Sequence, residues 1–283
     1  MRLGNTTLRL VSDGEYRLDG AGLFGLMPKT EWLELASPDE QNRIRIQLHC
    51  LLIETGEQKI LVDTGYGDKL SSRERESMCL EGDGRLLGSL AARGAAAEDI
   101  DLVINTHLHG DHCGGNTRYD DAGELVPTFP NATYYVQRIE LADAMFPNER
   151  TRGTYHYREN IEPLERAGKL HVLWGDTRLT DEVRVMGTPG HTPAHQSVVI
   201  ESEGETAVFL ADTAHWPLHM ERLEVLTAFD VQPLVTLETK RRLARWAIES
   251  KALLIFDHHP DGLAGYLHPT DRPDRFRLEP AAI

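Results

Sequence analysis

Residues 106–116 read THLHGDHCGGN and place three histidines and an aspartate, His107, His109, Asp111 and His112, within six consecutive positions. Imidazole and carboxylate groups are costly to bury without partners, so a cluster this dense is poor material for a core. The stretch ends an apolar run, DLVIN at 101–105. In an extended segment residues i and i+2 point to the same side, so His107 and His109 can grip one ion together. Gly110 lets the chain turn sharply. Asp111 and His112 can then face a second point a short distance away, so one loop can serve two adjacent metal positions.

Six residues cannot close two such sites, and further donors stand at the ends of other apolar runs. MGTPGHTPAHQS (186–197) presents His191 after a Thr-Pro-Gly turn, VFLADTAH (208–215) presents Asp212, and LLIFDHHP (253–260) presents His258 and His259. Strand ends and the loops after them are where a scaffold of this kind carries its site. Imidazole and carboxylate donors suit Zn²⁺, and Mn²⁺, Fe²⁺ or Co²⁺ accept the same set.

The surrounding chain reads as strands and helices in alternation. Runs rich in β-branched residues recur at 44–54, 59–65, 101–107, 133–137, 170–174, 197–202, 206–212 and 252–258, each bounded by turn-forming residues. Apolar residues at helical spacing occupy 84–95, 237–251 and, more weakly, 138–146. The order predicts an αβ architecture with sheets inside and helices outside. No linker interrupts it, so residues 1–283 are expected to form one domain.

Composition narrows the function. The hydrophobic and charged fractions, 40% and 27%, suit a folded domain with a sizeable core. The net charge of −15, with no Lys/Arg block beyond KRRLAR (240–245), opposes binding to a phosphate backbone, and nucleic acid is not an expected partner. KRRLAR itself reads as the polar face of a helix. No apolar run approaches a membrane span, and the N-terminal MRLGNTTLRLVSDGEY alternates like a strand rather than a secretion signal, so a cytoplasmic location is expected. The cysteines Cys50, Cys79 and Cys113 form neither a close pair nor a CxxC motif, which argues against disulfides and thiolate metal sites. Cys113 is expected to be a small buried residue at the start of a helix.

The ordered set HxHxDH, TPGHT, LADT and a late strand-ending His resembles the metallo-β-lactamase superfamily, and KILVDTG (59–65) matches its early motif. The likeness spans roughly residues 45–260 and implies an α/β (α+β) fold, a four-layer αβ/βα sandwich with two metal ions at one edge. Carried over residue by residue, it implies that His107, His109 and His191 hold the first ion, that Asp111, His112 and His258 hold the second, and that Asp212 bridges them. His258 is preferred to His259 because Phe256-Asp257-His258-His259 matches the family's Phe-x-His-x. Asp63 and His195 are implied to orient ligand imidazoles by hydrogen bonds. Asp111 is implied to orient the attacking water or take up its proton.

Departures from subfamilies narrow the substrate. A carboxylate, Asp212, stands where lactam-cleaving members carry a cysteine. The short Pro-rich stretch after His258 lacks a glutathione-binding region, and no flavin domain or basic nuclease region is present. What remains resembles the branch of lactonases and methyl parathion hydrolase, in which a metal-activated hydroxide attacks a lactone or ester. DGAGLFGLMPKTEW (19–32) resembles the segment that covers the site in that branch, so residues 15–40 are expected to form a cover. Phe24, Leu26, Met27 and Trp32, with Trp216, are candidates for an apolar substrate pocket, or else simply close the end of the sandwich. Acyl homoserine lactonases often place a Tyr three residues after the bridging Asp. Here that residue is His215, a candidate substrate contact or general acid. Aryl lactones, esters and phosphotriesters therefore stay open beside acyl homoserine lactones. A mononuclear-iron dioxygenase and a non-catalytic metal-binding protein are the readings of other classes. Relatives in this branch are often dimers, which leaves a homodimer open.

Overall fold

Among the described residues, strand pairing gathers the β-rich runs into two sheets of seven strands each. The computed structural model describes residues 1–80, 82 and 84–283. The first half of the chain supplies β1 (Arg2–Leu3), β2 (Thr6–Asp19), β3 (Arg43–Glu54), β4 (Lys59–Val62) and β5 (Leu102–Ile104). A small ribbon, β6 (Thr117–Tyr119) with β7 (Leu125–Pro127), precedes β8 (Thr133–Gln137) and β9 (Leu170–Leu173). The second half supplies β10 (Thr177–Arg178), β11 (Val183–Gly187), β12 (Gln196–Ser202), β13 (Glu205–Phe209), β14 (Leu253–Ile255), β15 (Ala264–Pro269) and β16 (Phe276–Ala281). The orders are β1-β2-β3-β4-β5-β8-β9 and β10 through β16 in sequence. The β4–β5, β5–β8, β8–β9 and β13–β14 pairs are parallel.

Alternation along the central strands builds four layers. Leu51 and Ile53 of β3, Ile60 and Val62 of β4, Phe209 of β13 and Leu253 and Ile255 of β14 share the core between the sheets. Their neighbours face outward: Leu52 and Leu61 meet Leu86 and Leu90 of the helix Arg85–Ala92. Val208 and Leu254 meet Leu243, Ala244 and Ala247 of the helix Pro233–Ser250. Strands buried on both faces read as continuous apolar runs, which is why these segments were legible. No described helix is long and apolar enough to cross a membrane.

Two local features aim side chains at one edge. In β2 the register shifts by one residue between Ser12 and Glu15. Gly14 within this bulge has φ +99°, a conformation that favours glycine. The extra residue changes which parity of β2 faces the helix-covered side: Val11 and Asp13 before it, Tyr16 and Leu18 after it. Asp63 and Ala211, beside the site, also hold positive φ, 60° and 47°. Such strain costs on the order of 1–3 kcal/mol per residue and persists where surrounding contacts fix it.

The sequence expectation for the fold departs from the structure at KRRLAR and at Cys113. Lys240 of KRRLAR is buried beneath its helix and donates from Nζ to the Val225 carbonyl oxygen at 2.7 Å. Cys113 ends the single turn Gly110–Cys113 rather than starting a helix. The Pro-rich C-terminal stretch contributes the antiparallel pair β15–β16.

Candidate metal centre

The loops after β5, β11, β13 and β14 converge at one edge. Gln196 holds the two sheets in register there, donating from its backbone N to Thr106 O at 3.0 Å and from Nε2 to Asn105 O at 2.8 Å. His107, His109, His191 and Asp212 each bring one ligand atom into a group whose members lie within 4.8 Å of one another, and His112, Asp212, Asp257 and His258 form a second such group. Asp212 belongs to both.

The distances suit coordination. His191 Nε2 lies 3.0 Å from His109 Nδ1 and 3.0 Å from Asp212 Oδ2, which is 3.8 Å from His107 Nε2. On the other side, Asp212 Oδ1 is 3.2 Å from His112 Nε2 and 3.1 Å from His258 Nε2, and those two nitrogens are 3.3 Å apart. Bonds of about 2.0–2.1 Å to a tetrahedral ion set neighbouring donors roughly 3.3 Å apart. Among the described residues, buried His107 Nε2 has no hydrogen-bond partner. Unpaired buried atoms of this kind are expensive unless a ligand satisfies them. The donor set therefore fits a pair of divalent cations.

Electrostatics divide the imidazoles: Asp212 and neighbouring carboxylates outweigh burial and raise His112 and His191, and Asp257 with Asp212 raises His258 to about 10, whereas the other two are lowered. Burial, then the neighbouring His112 and His109, pushes His107 well below its ordinary pKa, and burial, then His191, takes His109 down to about 3. Both are neutral imidazoles, the form that ligates. Burial alone would raise Asp212, but His215, His112, His191 and His258 outweigh it and hold the carboxyl well below the usual range.

Asp111 stands at the rim of the second group, with Oδ2 3.8 Å from His112 Nε2 and 3.9 Å from His258 Nε2. Asp257, which sequence reasoning passed over beside His258, lies on the protein side with Oδ2 3.5 Å from His258 Nε2. His259 packs against the Trp216 ring, at 5.2 Å between centroids, outside both groups. His258→Ala is accordingly expected to lose about half the bound metal and His259→Ala none, as read by elemental analysis after dialysis.

Supporting contacts fix the imidazoles from behind. Asp63 Oδ2 meets His112 Nδ1 at 2.9 Å and accepts from Thr106 Oγ1 at 2.7 Å, while Oδ1 accepts from Thr106 N at 2.8 Å. Gln47 O meets His258 Nδ1 at 2.8 Å, and Asp230 Oδ1 lies 3.4 Å from His191 Nδ1. Buried Glu140 accepts from Leu108 N, Tyr155 Oη and Thr192 Oγ1, tying the His107–Asp111 loop to the His191 turn. Asp230 and Glu140 lie in segments with no motif, and nothing in the sequence singled them out. His195 is a correction: its Nδ1 meets Thr188 Oγ1 at 2.8 Å and Thr213 Oγ1 at 3.3 Å rather than a donor imidazole. Cys113 Sγ donates to Leu108 O at 3.3 Å, and burial pushes its thiol up to about 12, so it stays out of the donor set.

A cavity of about 220 Å³ opens over the cluster, lined on one side by Tyr16, Leu18, Ile46 and Tyr66 and on the other by Arg150, Thr151, Thr154 and Phe229. Asp111, Asp212 and His215 form its polar floor. The expected pocket residues are corrected here. Phe24, Trp32 and Trp216 pack on one another, with Phe24 stacked 5.1 Å from Trp32 and edge-on to Trp216 at 5.6 Å. Met27 packs against that cluster, and Leu26 is fully exposed. Large apolar side chains gain most from contact with each other, so they close the end of the sandwich and leave the cavity wall to β2 and β3. His215 does reach the cavity, with Nε2 3.3 Å from Asp212 Oδ2.

Comparison with known proteins gives the same picture. Two N-acyl homoserine lactonases are similar: one from Bacillus sp is 30% identical over 220 residues, 74% of this chain and 80% of its own. One from Bacillus cereus is 29% identical over 228 residues, 77% and 83% of the two chains. The structure of a probable metal-dependent hydrolase from Staphylococcus aureus superposes over 100% of both chains with a TM-score of 0.86 at 26% identity. The family model described as the metallo-beta-lactamase superfamily matches residues 44–245. With most of the sequence matched and both sheets in place, the chain belongs to the metallo-beta-lactamase superfamily.

Proposed function

We propose that the protein is a dinuclear metal-dependent hydrolase that opens lactones, with N-acyl homoserine lactones the first class to try. The observation that carries this reading is the pair of donor groups sharing Asp212 directly beneath a half-apolar cavity. The similarity to N-acyl homoserine lactonases supports the substrate class. His107, His109 and His191 would hold one cation, His112, His258 and Asp111 the other, and Asp212 both, with zinc the ion best matched to these donors. A cation pair, when bound, lowers the pKa of water to about 7 and polarises the substrate carbonyl. We read residues 1–283 as one domain, supported by a central core that includes Leu3 and Ala264, and residues 15–40 as closing the end next to the cavity, supported by the cluster of Leu23, Phe24, Trp32 and Trp216.

The side chains divide the remaining work. Asp111 would orient the attacking water and take up its proton, a role supported by its position in the cavity lining. His215 would donate to the substrate carbonyl oxygen, a role supported by its place in the cavity lining beside Asp212. Leu18, Ile46, Tyr66 and Phe229 exclude water around an acyl chain or ring. The test is initial proton release by protein loaded with two equivalents of zinc, comparing an acyl homoserine lactone with an aryl lactone against an Asp212→Ala blank. A clear preference for the acyl homoserine lactone supports the full reading. Preference for the aryl lactone keeps the lactonase and replaces the substrate class, and rates at the blank level for both overturn it.

A further inference from the structure

Tyr16, a buried residue, lines the cavity wall with its hydroxyl beside Asp111. The β2 bulge sets its direction, and the ring is held edge-on by Tyr66, with 5.5 Å between centroids and 88° between planes. Its hydroxyl faces Asp111 Oδ2 at 3.3 Å. That contact is long beside the usual O–H···O spacing of about 2.7–2.8 Å. A buried phenol normally finds a well-made partner, and Asp111 is also needed by the imidazole side of the site, where its Oδ2 lies 3.8 Å from His112 Nε2. The ring is thus fixed by its packing while its one proton is loosely held by Asp111, and that proton can turn to an acceptor entering the cavity.

Lactone opening develops charge at a defined atom. The water oxygen bonds to the acyl carbon, the acyl–oxygen bond of the ring breaks, and the ring oxygen leaves as an alkoxide. One water proton ends on that oxygen and the other in solvent. Donors already aimed at an atom where charge develops, in a site shielded from water, strengthen in the transition state. Resting on the lactonase reading, we infer that the Tyr16 hydroxyl donates a hydrogen bond to the leaving oxygen as the acyl–oxygen bond breaks. Tyr16 keeps its own proton throughout.

The experiment is Tyr16→Phe, which removes the hydroxyl and leaves the ring packing. Zinc-loaded wild type and variant are compared on an acyl homoserine lactone, whose alkoxide leaving group needs a donor, and on 4-nitrophenyl acetate, whose leaving group does not. The expected result is a fall in kcat on the order of 100-fold for the lactone, against less than about threefold for the aryl ester, with two metals retained per chain and an unchanged melting temperature. Equal losses on both substrates, no loss on the lactone, or loss of metal would each overturn the assignment, the last by making Tyr16 a support for Asp111 alone. If wild type opens no lactone, the lactonase reading falls by itself. Methyl acetate then takes the lactone's place, and the same leaving-group contrast still decides Tyr16.

Discussion

Asp212→Ala is expected to reduce hydrolysis by more than about 10³-fold and to remove at least half of the bound metal, since changing even a group behind a metal ligand costs about 10–100-fold. Its two oxygens divide between the donor groups, Oδ2 towards His191 and His107 and Oδ1 towards His112 and His258. Alanine removes the only atoms common to both groups. It also leaves five imidazoles facing one another without their shared carboxylate, since His215 Nε2 also lies 3.3 Å from Asp212 Oδ2. The variant should therefore bind metal weakly even at high concentration, as titration calorimetry would show. Normal metal content with full turnover would mean that the two groups are not one catalytic centre. Asp212→Glu reaches further by one methylene and should recover part of the metal but little rate, because the bridging geometry is set by the backbone at Ala211.

The parts of the site that could be read from sequence are those whose chemistry is unusual for a core. Histidines and aspartates at the ends of apolar strands are conspicuous, and the structure brings His107, His109, Asp111, His112, His191, Asp212 and His258 together at one edge. Central strands were legible for a related reason, since Leu51–Ile53 and Leu253–Ile255 are buried on both faces. The cavity wall was not legible. Tyr16 and Leu18 reach it only because one extra residue at Gly14 changes the parity of β2, and simple alternation does not reveal a bulge. The aromatic side chains between 19 and 32 advertised apolar surface but not its destination. Phe24 and Trp32 satisfy one another, and so leave the void to side chains from other segments. Asp230 illustrates a third limit: its value lies in one contact with His191, made by a loop that has no periodic pattern.

The wild type is expected to gain stability between about pH 7 and 10, and Lys240→Met to abolish that rise. The helix Pro233–Ser250 turns Lys240 inward with Leu243, Ala244 and Ala247, and only 1% of the residue is exposed. Burial, partly offset by Asp230 and Glu224, lowers its pKa to about 7, whereas an unfolded lysine titrates near 10.4. Between those values the unfolded chain binds more protons than the folded one, so stability increases as pH rises through the window. Below about pH 7 the ammonium is charged in both states, and the full cost of burying it is present. The change across the window is roughly 2–4 kcal/mol. Methionine has no such dependence, although it strips the Val225 carbonyl of its donor, a pH-independent loss of about 1–3 kcal/mol. Urea unfolding of both proteins at pH 6, 7.5 and 9 separates the two effects. The variant should compare best at pH 6 and progressively worse as pH rises, because only the wild type gains. An unchanging gap would mean that Lys240 keeps its charge in the fold with the Val225 carbonyl as sufficient compensation. The position has reach beyond stability: Val225 begins the loop that carries Phe229 to the cavity and Asp230 to His191. A buried ammonium that costs stability at neutral pH is retained where it anchors that loop, and Lys240→Met should therefore weaken metal binding at the His191 side even where it stabilises the chain.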